Sequence, residues 1–285
     1  MNRKSFLSTA AMGTAGFFIS KDMFAAPKGP VYGHNEMRFR LDTKWGALNP
    51  EKTPVNDCHE MVQDSRGKIL LLTNETKNNV IVYSKSGRLI DTWGSQFPGA
   101  HGFTIQPNGR DDMYFITDTN LHQVYKTTRE GKIIFTIDPP MEAGIYSKKQ
   151  AFVPTETAVL ENGEFYIADG YGAQFIMHYD ANGKLLNYFG GKGVGDEHLD
   201  NAHGICIDYR NPTPTLIITD RSRSVFKRFS LDGKLLEIIP VPGAAVCRPV
   251  IKGDYLYAAV LRSPDLNTPA SGFVVILNKD NKVVS

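Results

Sequence analysis

The sequence predicts an all-β chain folded as a β-propeller, and three observations carry that prediction. Four stretches align with one another: "GKILLLTNETKNNVIVYSKSGRLIDTWG", "DDMYFITDTNLHQVYKTTREGKIIFTI", "GEFYIADGYGAQFIMHYDANGKLLNYFG" and "PTLIITDRSRSVFKRFSLDGKLLEII". Within them Asn74, Asp118, Asp169 and Asp220 recur at steps of 44, 51 and 51 residues, and the glycines Gly87, Gly131, Gly183 and Gly233 keep nearly the same step. Between the runs stand S-G, N-G and D-G pairs, which supply the positive φ that a tight hairpin needs. A period of about 40–50 residues with four short strands per copy is the signature of a propeller blade. A two-sheet sandwich would bury similar strands, but gives no reason for the turn chemistry to repeat.

Each copy justifies its own strands. An apolar run ends in Thr or Ala plus Asn or Asp; a polar turn follows, then a second alternating run, a glycine turn and a third run. Alternation with period two marks half-buried antiparallel strands. The Asp or Asn that ends the first run can accept backbone N–H bonds in the next turn. A fifth, degraded copy reads "DYLYAAV" followed by "GFVVILNKDNKVV". The propeller therefore spans 56–285.

In a propeller the first strand of each blade lines the central channel. Those strands begin at "DCHEMVQD", "GAHGFTIQ", "VPTETAVL", "NAHGICID" and "VCRPVIKG", which puts His59, His101, Thr155, His203 and Arg248 at one place in successive copies. Two of the three histidines share an A-H-G context. Imidazoles converging on a channel suit a divalent metal, most simply zinc with an open position. Histidines that only hydrogen-bond the neighbouring blade are the structural alternative. His122 and His178 fall in strand positions, and His34 and His198 in loops.

The bulk numbers bound the partners. The chain has 285 residues, 32 Lys and Arg against 30 Asp and Glu, and a net charge of +2, which gives no electrostatic case for nucleic acid. Residues 1–26 read as an export signal: a basic start, Arg3-Lys4-x-Phe6-Leu7, similar to a twin-arginine motif, then an apolar run from Phe6 to Ile19 too short to span a bilayer. That predicts a periplasmic or extracellular, monomeric protein with no membrane span. Cys58, Cys206 and Cys247 fit no zinc spacing. One disulfide, Cys58–Cys247, or three reduced thiols would each satisfy the count.

Three stretches carry a resemblance. "AHGFTIQPNGRDDMYFITDTNLHQVYK", "FVPTETAVLENGEFYIADGYGAQFIMHYDANGKLLNYFG" and "NAHGICID…IITDRSRSVFKRF" resemble successive blades of the peptidyl-α-hydroxyglycine α-amidating lyases, six-bladed propellers of NHL type. The resemblance implies zinc on channel histidines and a tyrosine that together cleave a carbinolamide into an amide and glyoxylate. It makes His101 and His203 zinc ligands, Tyr171 the base on the α-hydroxyl, and Arg221 an active-site arginine. The departures are specific. No arginine stands near Asn74 or Glu75, Gly172 replaces a cysteine after the tyrosine, and His59 is additional, a candidate third ligand. The expected activity is a metal-dependent lyase acting on a small α-hydroxy-amide or related carbinol. The alternative is a non-catalytic propeller that binds a peptide, glycan or protein at its mouth.

The segment 27–55 contains "MRFRLDTKWG", similar to the outer strands "GRLIDTWG" and "GKLLNYFG". Read as an orphan outer strand, it predicts five blades of an expected six, a gap beside the first blade, and Met37–Gly46 unpaired or docked on the fifth.

Overall fold

Five sheets form from the five copies, in sequence order. The computed structural model describes residues 30–263 and 272–285; the export signal expected over 1–26 lies outside them. Blade one is β3 (Cys58–Gln63), β4 (Ile69–Thr73), β5 (Val80–Tyr83) and β6 (Leu89–Trp93). Blade two is β7 (Ala100–Gln106), β8 (Met113–Asp118), β9 (Gln123–Thr127) and β10 (Ile133–Ile137). Blade three is β11 (Glu156–Val159), β12 (Phe165–Ala168), β13 (Phe175–Tyr179) and β14 (Leu185–Gly190). Blade four is β15 (Ala202–Asp208), β16 (Thr215–Asp220), β17 (Val225–Phe229) and β18 (Leu235–Pro240). Blade five has three strands, β19 (Val246–Lys252), β20 (Tyr255–Val260) and β21 (Phe273–Leu277), and its outer run adds a single bridge, Leu277 to Val283. Every blade is an antiparallel meander.

The alternation sets which faces are buried. Second strands such as β8 and β16 are buried almost throughout, while outer strands such as β6 are mostly exposed. The core lies between consecutive blades. Val62, Leu70 and Val82 of blade one meet Phe103, Tyr114 and Ile116 of blade two, and Ile217 and Phe226 of blade four meet Leu256 and Val275 of blade five. The inner strands β3, β7, β11, β15 and β19 lie side by side around the channel. Among the described residues no comparable strand packing returns from β19 to β3; a side chain, Arg248, spans that side.

The glycine turns have a second reason besides their φ of +80 to +91°. A Cβ on Gly131 would lie 2.4 Å from the Trp93 ring of the preceding outer strand, and one on Gly233 would lie 2.5 Å from Phe189. Gly87 meets Trp45 in the same way, at 3.0 Å. Trp45 therefore stands against blade one as Trp93 stands against blade two, and its indole N–H donates to the Lys85 carbonyl at 3.0 Å.

That corrects one expectation. Met37–Gly46 is neither free nor docked only on blade five. Within it β2 (Phe39–Arg40) pairs with β1 (Val31–Tyr32), Trp45 packs on blade one, and the turn between the strands reaches blade five, where His34 N–H donates to Ser285 Oγ. Of the two alternatives for the cysteines, the structure has the second: all three are free. One smaller point differs from the sequence reading. His122 lies in a turn at φ +59°, not in a strand, and its Nδ1 bonds the Phe152 carbonyl at 2.8 Å.

Candidate active site

The mouth of the channel is built from strand ends, and each is pinned by the recurring acid. Asp118 accepts the Gly99 N–H at 3.0 Å, Asp169 the Val153 N–H at 2.6 Å, and Asp220 the Asp200 N–H at 3.1 Å. Each carboxylate thus ties the end of its second strand to the start of its own inner strand, where the histidine or threonine stands. The same acids also hold the next turn: Asp118 accepts from Asn120 and Leu121, and Asp169 from Ala173.

The histidines sit in β-bulges, which break the ladder between Ala100 and Phe103, between Ala202 and Ile205, and between Cys58 and Glu60. The glycine of A-H-G is required by close approach. A Cβ on Gly102 would meet the Thr155 carbonyl oxygen at 2.5 Å, and one on Gly204 would meet Arg248 Cα at 2.7 Å. Both glycine N–H groups donate to a second-strand threonine, Gly102 to Thr117 at 2.6 Å and Gly204 to Thr219 at 2.7 Å.

Ladder register corrects the sequence alignment by one residue in two blades. Glu60, Phe103, Ile205 and Pro249 pair with equivalent second-strand positions, Leu72, Ile116, Ile218 and Ala258. Two residues before them stand Cys58, His101, His203 and Cys247. His59 and Arg248 are therefore one place beyond the histidine position, which cysteines take in blades one and five. The bulges hide this offset from a linear alignment.

The structure nevertheless brings all five candidate residues together. His101 is buried, and its ring stacks on His59 at 4.3 Å between centroids and meets the edge of His203 at 5.0 Å. Its Nδ1 lies 2.8 Å from the Thr155 carbonyl, so Nδ1 carries the proton and Nε2 offers a lone pair. Tyr171 Oη is 3.2 Å from that Nε2, and its ring lies 5.1 Å from His101 and 5.5 Å from His203. Arg221 Nη2 donates to Tyr171 Oη at 3.0 Å, and its guanidinium also lies 5.6 Å from the centre of the Tyr171 ring.

The loop that carries Tyr171 is fixed by Asp169, whose carboxylate also accepts from Tyr146 Oη at 2.8 Å. Gly172 has no room for a side chain. A Cβ there would lie 2.1 Å from Asp169 Oδ1 and 2.3 Å from the Ala151 carbonyl, so a cysteine cannot stand at this position without moving the loop.

Electrostatics keep the imidazoles neutral. Burial, then the His59 ring and Arg221, pushes His101 down to about 4. Burial, then Arg221 and the other two histidines, pushes His203 down to about 2. His59 is also lowered, chiefly by burial. Neutral imidazole is the ligating form. His203 Nδ1 is buried and has no hydrogen-bond partner among the described residues, an orphan that a cation would satisfy. The donor chemistry fits a transition metal. The arrangement itself is not a closed shell: among the described residues no three His, Cys, Asp or Glu side chains surround one point, because His59 lies face to face with His101.

Three contributors were not among the candidate site residues. Thr155 acts through its carbonyl. Asn201 accepts the Arg221 backbone N–H at 3.0 Å and faces its guanidinium at 3.4 Å. Cys247 Sγ lies 3.8 Å from Arg221 Nη1. Beside Arg221 a cavity of about 590 Å³ opens between blades four and five, lined by Asn201, Ser224, Ala245 and Arg262 among others.

Comparison with known proteins agrees with this picture. No family model matches the chain. It is 34% identical over 155 residues to peptidyl-alpha-hydroxyglycine alpha-amidating lyase 1 of Drosophila melanogaster, covering 53% of this chain and 26% of that protein. It is 34% identical over 145 residues to a probable lyase of the same name from Caenorhabditis elegans, covering 50% and 37%. The matches thus span about a quarter to a third of these relatives' lengths. Two solved structures share the fold: a protein of unknown function from Bacteroides caccae (TM-score 0.56, 11% identity, 87% of this chain and 83% of that one) and catalytically inactive virginiamycin B lyase from Staphylococcus aureus with quinupristin (TM-score 0.55, 16% identity, 86% and 71%). The described residues form five blades of a β-propeller, and about half of the chain is similar to peptidyl-α-hydroxyglycine α-amidating lyases.

Proposed function

We propose that the channel mouth is the active site of a metal-dependent carbon–nitrogen lyase that splits a small α-hydroxy-amide into an amide and a carbonyl product, glyoxylate where the substrate is an α-hydroxyglycine. The observation that carries this is the contact of Tyr171 Oη with both His101 Nε2 and Arg221 Nη2, at 3.2 and 3.0 Å. Tyr171 takes the proton of the substrate hydroxyl. The C–N bond then breaks with its electrons on nitrogen, a C=O bond forms, and the nitrogen takes a proton. Arg221 stabilises negative charge on the phenolic oxygen and can hold a substrate carboxylate. His101 and His203 would hold zinc, with His59 as the third donor once its ring turns out of the stack on His101. Zinc bound there supplies a Lewis acid that polarises the substrate hydroxyl.

Metal analysis tests the proposal first. Protein purified after growth with zinc is expected to carry about one equivalent, and the His101→Ala/His203→Ala variant far less. Wild-type protein at background metal content would count against it and in favour of a binding platform without chemistry.

A further inference from the structure

We propose that Arg248 is the positioning residue of the histidine site: its guanidinium, reaching across the channel from β19, ties together the strands that carry His59 and His101, and its backbone packs beside the strand that carries His203. Its contacts are specific. Nη1 donates to the Phe103 carbonyl at 2.9 Å and pairs with Glu60 Oε2. Nη2 donates to Thr104 Oγ1 at 3.4 Å, and Nε faces Glu156 Oε2 at 3.4 Å. The partners also bond one another. Glu60 Oε2 accepts the Phe103 N–H at 3.4 Å, and Glu156 Oε1 accepts from Thr104 Oγ1 and the Thr157 N–H, both at 2.9 Å.

The connection to the site is covalent and short. Glu60 follows His59, and Phe103 stands two residues after His101. Glu156 follows Thr155, whose carbonyl holds the His101 Nδ1 proton. Gly204 follows His203 and lies so close to Arg248 Cα that a Cβ on it would be 2.7 Å away. Arg248 thus reaches the residue after His59 and the second residue after His101 through its guanidinium, and the residue after His203 through its backbone. It also bridges β19 to β3, where among the described residues no comparable strand packing does so. A forked guanidinium suits this place, because it presents several donors at fixed angles to two carboxylates and a carbonyl at once. Without it, the Glu60 and Glu156 carboxyl groups would lose the cation they share.

The test compares full-length wild type with Arg248→Met and Arg248→Lys. Two readouts are used: side-chain ¹⁵N shifts of the histidines in metal-free protein at pH 7, and zinc affinity by chelator competition. Wild type is expected to show His101 as a single Nδ1–H tautomer. In Arg248→Met its two ring-nitrogen shifts converge, as tautomers exchange, and zinc affinity falls at least tenfold; Arg248→Lys falls between. A purely structural residue would lower the unfolding temperature and leave both readouts unchanged in the folded fraction. Wild-type shifts and affinity in folded Arg248→Met would overturn the proposal. Should Arg248→Met fail to fold, Arg248→Lys and Glu156→Gln decide it, and unchanged His101 shifts in both would overturn it. The affinity arm rests on the metal-binding reading above. A wild type that takes up no zinc sinks that reading, while the tautomer arm still judges Arg248.

Discussion

Tyr171, the base proposed above, contributes little to folding. It is 43% exposed, and its fixed position comes from Asp169 and the cramped Gly172 behind it. Tyr171→Phe should therefore leave the unfolding temperature within about 1–2 °C of wild type, because exposed substitutions usually change stability by less than about 0.5 kcal/mol. Its turnover should fall about 10²- to 10⁴-fold, the range for a lost general base. Steady-state kinetics beside calorimetry checks this, and a variant with normal turnover would remove Tyr171 from the chemistry. At this scale the sequence was informative where a residue type repeats in one context. His101 and His203 stood out through A-H-G, and Tyr171 through Asp-Gly-Tyr. Thr155 and Asn201 did not stand out, because a carbonyl acceptor leaves no trace in residue type. Nor did the true places of His59 and Arg248, since a bulge adds a residue without changing the pattern around it.

Between elements, most contacts joining blades are apolar, but the seam from blade four to blade five also carries charge. Asp208 is fully buried, with Arg210 at 2.8 Å and Arg228 at 2.7 Å. Arg210 goes on to the Asn278 carbonyl of blade five at 3.1 Å, and both arginines reach Asn281 Oδ1. Burial opposes ionisation of Asp208, but hydrogen bonds from Arg210 and then Arg228 outweigh it and hold the carboxyl below its usual 3.8. A carboxyl lowered in the native state stabilises above its unfolded value, and that stability is lost as pH falls through the native one. Acid should therefore weaken the wild type below about pH 4 more steeply than it weakens Asp208→Asn. At pH 7 that substitution should cost about 3 kcal/mol, the low end for breaking a buried pair, since Glu237 still faces Arg228 at 3.0 Å. Urea unfolding from pH 3 to 7 measures both; parallel pH profiles would contradict the assignment. The blades themselves were legible, because alternation and glycine turns are local. This seam was not, because Asp208 and Asn281 are distant in sequence and meet only once two blades stack.

For the whole molecule, the ring places residues from four blades at one mouth, and the proposed chemistry depends on that convergence. Among the described residues no helix is long and apolar enough to cross a membrane. We propose that Arg3, Lys4 and the short apolar run after them direct export. Protein from the native cell should then lack roughly its first 26 residues and be found outside the cytoplasm; an intact N-terminus on cytoplasmic protein would refute this. If the mouth breaks a carbon–nitrogen bond, purified, zinc-supplemented protein should release glyoxylate from an N-acyl-α-hydroxyglycine. One glyoxylate per amide formed is expected, at a rate well above the spontaneous one, with no such release from the His101→Ala/His203→Ala variant. Release no faster than in buffer, or equal release by the variant, would contradict that chemistry.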